Sequence, residues 1–354
     1  MTRYVYVGSE TRTEGGHRRE GITVYRMDPE SGQLTQVQKA ESGETPSFLA
    51  VHPNRRFLYA INEVREGRAT AFAIDPASGQ LRLLNTAPVK GLGPCYISIT
   101  ADGRWALVAN YGGGSVSVLP IQPDGTVGAA AATVQHQGKG DDPKRQEGPH
   151  AHSIIPSPDG RFVLAADLGT NRVYVYRLEK DGTLTPNDPP ALVAEPGAGP
   201  RHMAFHPNGR FLYVANELNN TVVVYAWDAA AGTLKKLQAL PTLPEEFQSY
   251  NIVADIHLTP DGRYLYVSNR GHDSLSAFRV SADGSSLERV GFVSTGGHWP
   301  RNFTLDPDGK FLIVANQESS SLVLFKINPT TGMPEPTGDV FTVEKPMFVT
   351  VVDL

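Results

Sequence analysis

Short apolar runs separated by polar turns recur along the whole chain. Residues 199–218 show the pattern most clearly. Met203-Ala204-Phe205 and Phe211-Leu212-Tyr213-Val214-Ala215 are apolar, with His206-Pro207-Asn208-Gly209 between them. Proline fixes φ and Asn-Gly tolerates positive φ, so the unit predicts two strands joined by a tight turn. Arg201 and His202 stand at the start of the first strand, and Asn216 and Glu217 follow the second. A hairpin brings those two places together, opposite the turn.

Aligned on the last residue of the turn, the copies end at Arg56, Arg104, Arg161, Arg210, Arg263 and Lys310, about 50 residues apart. An aromatic or apolar strand follows each, such as Phe57-Leu58-Tyr59-Ala60 or Phe311-Leu312-Ile313-Val314. A third strand with period-two alternation comes next, as in Val173-Tyr174-Val175-Tyr176, and a Gly-containing turn leads into a weaker fourth. Four antiparallel strands in a repeat of this length predict a β-propeller blade.

Six copies are complete. The N-terminus enters the pattern late, at residues 4–7, and Met347-Phe348-Val349-Thr350-Val351-Val352 supplies the strand that it lacks. The expected fold class is all-β, a seven-bladed β-propeller of four-stranded antiparallel blades. A composite blade from the N- and C-termini closes it, leaving no open edge, and residues 1–354 form one domain. The longest interruption, residues 135–147, is a polar loop entering the third complete blade, and loops of this length are often functional.

Composition bounds the partners. The 35 glycines and 27 prolines suit a chain of short strands and turns. A formal net charge of -5 with no basic stripe predicts no nucleic-acid partner. No apolar run approaches the roughly 18 residues that cross a bilayer, and Met1-Thr2-Arg3-Tyr4-Val5-Tyr6-Val7 goes straight into a strand pattern. No membrane partner and a cytoplasmic location are therefore expected. Cys95 is the only cysteine, which excludes an intramolecular disulfide and a cysteine-based zinc cluster.

The repeats separate scaffold from site. Six residues after each reference position stand Asn62, Asn110, Asp167, Asn216, Asn269 and Asn316, expected to cap turns by bonding backbone. Four residues before it, His52, Thr100, Ser157, His206, Thr259 and Asp306 open the turn, so His52 and His206 are expected to be turn residues. One residue past the asparagines the pattern breaks into Glu63, Tyr111, Leu168, Glu217, Arg270 and Gln317. Nine residues before the reference it breaks into Ser47, Cys95, His152, Arg201, Ala254 and Arg301. Strand alternation is expected to put these two sets on one face, at the mouth of the central channel. Arg3, Lys139, Lys144, Arg145, His150, His202, Asp255, His257, His272 and His298 lie on the same segments.

Arginines and a histidine around one mouth suit a small anionic substrate. Arginine stays protonated and holds phosphate or carboxylate through paired hydrogen bonds. A neutral histidine can take a proton from water, and an arginine at a carbonyl oxygen stabilises the anion formed by attack. Glu217 would orient them or neutralise surplus charge. His150 and His152, two apart on a strand, can face one way, but no third and fourth ligand is evident, so no metal and no cofactor are expected. No Gly-x-Ser-x-Gly elbow, His-Glu-x-x-His or P-loop is present. Gly112-Gly113-Gly114 lies between two strands and is expected to be a hairpin turn, and Cys95 a structural thiol.

Gly199-Pro200-Arg201-His202, Ser268-Asn269-Arg270-Gly271-His272-Asp273-Ser274 and Gly297-His298-Trp299-Pro300-Arg301-Asn302-Phe303 resemble the seven-bladed-propeller lactonase family. That family includes bacterial 6-phosphogluconolactonases and the fungal carboxy-cis,cis-muconate lactonising enzyme, and the resemblance covers essentially the whole chain. It implies a catalytic set of His152, Arg201, Glu217 and Arg270, with His150, His202, His272, His298 and Arg301 as further substrate-binding residues. One departure is Asp255, where relatives commonly carry glutamate. The resemblance implies a sugar-lactone substrate bearing negative charge and hydrolysis of 6-phosphogluconolactone. A muconate-type cycloisomerase and a non-enzymatic binding platform are the alternatives.

Overall fold

The computed structural model describes every residue except 14, 15, 18 and 19. Seven four-stranded antiparallel sheets form the ring. We number the blades by their inner strands: blade 1 begins at Pro46–Val51, blade 2 at Pro94–Ile99, blade 3 at Ala151–Pro156, blade 4 at Pro200–Phe205, blade 5 at Ile252–Leu258 and blade 6 at Pro300–Leu305. Blade 7 is composite. Its inner strand is the C-terminal Pro346–Asp353, which pairs with Arg3–Ser9 of the N-terminus, as expected. The inner strands also pack against one another around the ring, blade 6 against 7 and 7 against 1 included.

Core lies between blades. Seven apolar clusters are buried, one at each blade junction, because each sheet buries both faces against its neighbours. Tyrosines of the second strand stitch four of the seven junctions. The Tyr6 hydroxyl donates to the Gly79 carbonyl and the Tyr59 hydroxyl to the Gly125 carbonyl, each glycine lying on the outer turn of the next blade. Gly79 has φ of 68°, and a Cβ there would stand 2.3 Å from the Tyr4 ring, so only glycine fits.

The repeated residues are scaffold. Arg56, Arg104, Arg161, Arg210 and Arg263 each stack their guanidinium over the aromatic ring that follows. Asn62 Nδ2 donates to the carbonyls of Ser42 and Glu44, Asn269 Nδ2 to that of Thr242 and Asn316 Nδ2 to that of Thr295. His52 and His206 are turn residues: their Nδ1 atoms accept from the backbone N–H of Asn54 and Asn208. Gly112-Gly113-Gly114 forms the hairpin between Trp105–Asn110 and Ser115–Pro120.

Arg3 is not on the rim. It begins its strand at the turn side, where Nε meets Asp353 Oδ1 at 2.7 Å, Nη1 meets Asp306 Oδ2 at 2.5 Å and Nη2 meets Asp308 Oδ2 at 3.0 Å. Asp306 opens the blade 6 turn, so Arg3 clasps the closing blade to its neighbour on the opposite face. Arg3→Ala leaves the fully buried Asp306 carboxylate without its cation. We expect it to lower unfolding free energy by about 3 kcal/mol, read by urea denaturation, while kcat stays within twofold.

Candidate active site

A β-bulge in every inner strand builds the rim. Pro200 faces Asn216 and His202 faces Ala215, which leaves Arg201 as an extra residue. The same slip singles out Ser47, Cys95, His152, Arg301 and Met347. In blade 5 it falls between Val253 and Ile256, at Ala254-Asp255. A bulge re-aims its side chain and breaks alternation. Six of the bulge residues therefore converge from six blades on one cavity of about 10 Å³, with Phe48, His202 and Asn302. That is room for one water at most. Sequence alternation anticipated the shared face, but the device that makes it is the bulge.

Glu217 is the hub. It lies just beyond the second strand of blade 4 and is buried. Its Oε2 accepts from Arg201 Nε at 2.8 Å and Arg270 Nη2 at 3.0 Å, while Oε1 accepts from Arg145 Nη2 at 2.5 Å. His152 Nε2 lies 4.0 Å from Oε2. The four residues His152, Arg201, Glu217 and Arg270 thus come together, and Arg145 joins them.

Arg145 arrives on the long loop. Asp142 caps the turn that carries it, accepting from the N–H groups of Lys144 and Arg145. Buried Gln146 ties the loop down through Nε2 to the Leu168 carbonyl at 2.8 Å. Lys139 and Lys144, on the same loop, are exposed. Two further groups escaped sequence reasoning. Trp299, held at φ of 64°, lies under the Arg270 guanidinium at 5.4 Å. His136 and Asp167, both fully buried, pair at 2.6 Å, and Asp167 also accepts from the His150 N–H. The signal for the pair was visible: Asp167 is the one acid in a ring of asparagines.

The remaining histidines are placed differently. His150 stacks on Tyr111 at 4.6 Å and uses its two nitrogens on the Tyr111 carbonyl and Glu147. It diverges from His152, because the bulge breaks their expected common face. His202 is buried, with Nδ1 2.7 Å from Asp255 Oδ1 and Nε2 3.3 Å from Arg201 Nη1. Both nitrogens are committed to protein, which leaves none to contact substrate as expected. His272 pairs with Ser274 and packs on Phe247. His298 is exposed and pairs with Asp273. Arg301 faces Glu63 at 3.6 Å, near the rim. His257 reaches Asp255 Oδ2 at 2.9 Å.

Burial and neighbouring charge set the protonation states. Burial alone would raise the Glu217 carboxyl, but Arg270, Arg201 and Arg145 hold it at about 2. Burial, then Arg201, His202 and Arg301, push His152 well below the ordinary histidine value, so it is neutral. Burial, with Arg201 and Arg301 beside it, brings Arg270 down to about 9, and burial pushes the Cys95 thiol up, out of nucleophilic range.

Fold and site together define a seven-bladed propeller with an arginine-rich mouth. The chain belongs to the family described as "Lactonase, 7-bladed beta-propeller", which it matches over residues 4–351. Members of this class are carboxylic ester hydrolases that open lactones, and this chain is one of them. It is 39% identical to the 6-phosphogluconolactonase of Bacillus subtilis over 308 residues, 86% of each chain. To that of Pectobacterium carotovorum it is 36% identical over 354 residues, all of both chains. Among solved structures, the periplasmic gluconolactonase of Pseudomonas aeruginosa superposes with a TM-score of 0.93 at 35% identity, covering 99% of each chain. Among the described residues, no helix is long and apolar enough to cross a membrane.

Proposed function

We propose that this protein hydrolyses 6-phosphogluconolactone to 6-phosphogluconate in the cytoplasm, with residues 1–354 acting as one domain. The observation that carries the anionic substrate is charge. Arg145, Arg201 and Arg270 all converge on one buried carboxylate, Glu217, which leaves positive charge in excess at that point, with Arg301 close by. A phosphorylated sugar lactone supplies the missing negative charge.

His152 Nε2 takes the proton as water attacks the lactone carbonyl, and Glu217 at 4.0 Å stabilises the imidazolium that forms. Arg201 and Arg270 hold the phosphate and the developing oxyanion, oriented by their bonds to Glu217. The ring oxygen leaves as an alkoxide and recovers the proton from His152, giving the open-chain acid, which loses its remaining proton to solvent to become the carboxylate. No step needs a metal or a cofactor.

The test compares 6-phosphogluconolactone with glucono-δ-lactone, each against its spontaneous hydrolysis. We expect kcat/KM to favour the phosphorylated lactone by at least about 100-fold, as two charge-assisted contacts would give. Equal rates on both would overturn the phosphate assignment. A rate no faster than background on the phosphorylated lactone would overturn the substrate altogether.

A further inference from the structure

Beneath the arginine cluster lies a second buried network. Asp255 Oδ1 accepts from the backbone N–H of Ile256 at 3.0 Å as well as facing His202 Nδ1. Asp255 Oδ2 accepts from the Phe303 N–H at 3.4 Å, from Asn302 Nδ2 and from His257 Nε2. The Asn302 amide is itself fixed, because its Oδ1 accepts from the Val349 N–H at 2.8 Å, so its NH2 must face Asp255. Backbone and amide donors thus commit both carboxylate oxygens as acceptors. His202 Nδ1 must therefore carry the proton, which leaves Nε2 as a bare lone pair. That lone pair stands 3.3 Å from Arg201 Nη1, whose other fixed partners are the Ala254 carbonyl at 2.5 Å and, through Nε, Glu217.

We propose that Asp255 and His202 are positioning residues for Arg201, the carboxylate selecting the His202 tautomer and the bare nitrogen orienting the guanidinium. This rests on Arg201 acting on the substrate anion. The logic is that of a carboxylate that orients a histidine, displaced one step from the reacting atoms. A protonated Nε2 would set donor against donor and swing the guanidinium away from its line with Glu217. It also gives Asn302 and the C-terminal strand a part in the site, because the closing blade holds the amide that holds Asp255.

Two experiments test it. The first uses the wild-type protein, 15N-labelled at histidine, and reads tautomers by long-range 1H–15N correlation. The groups facing His202 are Arg201, His152, Tyr96 and Asp255, with His257 behind Asp255. Burial and Arg201 hold His202 at about 4, so it should stay neutral and protonated at Nδ1 between pH 6 and pH 8. An Nε2–H tautomer or an imidazolium at pH 7 would overturn the proposal, whatever the substrate proves to be.

The second experiment is a double-mutant cycle on kcat/KM. Asp255→Asn puts an amide NH2 against committed donors and should cost about 10–100-fold, with Asp255→Glu recovering part of the loss. In an Arg201→Lys background the same change should cost less than about threefold, because the group it positions is gone. Losses that multiply in full would show that Asp255 acts elsewhere and overturn the proposal. Melting temperatures of all variants separate misfolding from mispositioning. If Asp255→Asn does not fold, the wild-type tautomer decides.

Discussion

Glu217→Gln should lower kcat/KM by about 10³-fold or more and destabilise the fold by about 3–5 kcal/mol. Among the described residues the carboxylate is the one anion that bonds Arg145, Arg201 and Arg270 together, and its side chain is almost wholly buried. Removing its charge leaves the buried guanidiniums of Arg201 and Arg270 facing each other without water to screen them, beside the part-exposed Arg145. An amide also offers an NH2 to at least one of them. Arg270, already brought down to about 9 by burial and by Arg201, loses the neighbour that holds its proton. Two losses follow, one in the aim of Arg201 and Arg270 and one in folding. Initial rates by acid release and urea denaturation read them separately. Activity within tenfold of wild type would show that the arginines are aimed without Glu217.

This result would also separate two roles that the sequence left open for Glu217, orientation of the arginines and neutralisation of charge. Its geometry suits both, because each oxygen bonds a guanidinium. Glu217→Asp keeps the charge and shortens the reach. A variant that keeps stability but loses rate would assign the larger share to aim.

How much of this was legible in the sequence depended on whether a feature belongs to one strand or to several. The seven blades, the composite closure and the backbone bonds of Asn62, Asn269 and Asn316 follow from the repeat, and the pattern exposed them, whereas Asn110 and Asn216 donate to serine and threonine hydroxyls instead. The bulge is a relation of register between paired strands, so no single run of residues displays it. His152, Arg201 and Glu217 stood out because the repeat needs no residue of that type there. Arg3 was misplaced by its nearness to the chain end, although the strand register aligns it with Arg56, the last residue of the turn on the opposite face. Asp255 had no visible role because its partners, His202, Asn302 and the Phe303 N–H, come from two other blades. Arg145 was one basic residue among three in a loop, and only the anchoring of Gln146 shows why it, and not Lys144, reaches Glu217.

Loss of the proposed base is the other large effect. His152→Gln should reduce kcat by about 10²–10⁴-fold with a much smaller change in KM, since a glutamine fills the space but takes no proton. The pH dependence gives the sharper reading. Histidine ordinarily titrates at 6.5, and a base of that value would lose rate as pH falls through it. Burial, Arg201, His202 and Arg301 push His152 well below 6.5, so it stays neutral there. Rates corrected for spontaneous hydrolysis should therefore remain flat from pH 8 down past 6.5. Stability should behave in the opposite way. Unfolded histidines bind protons below 6.5 while His152 and His202, the latter held at about 4, do not. The unfolded state then binds more protons, and stability falls as pH drops from about 6.5 towards 4. His152→Gln removes one of the two groups responsible and should flatten that fall, even as it abolishes most of the rate. A rate that declines with an inflection near 6.5 in the wild type would mean that His152 titrates as an ordinary histidine, and would overturn this reading of its burial beside Arg201, His202 and Tyr111.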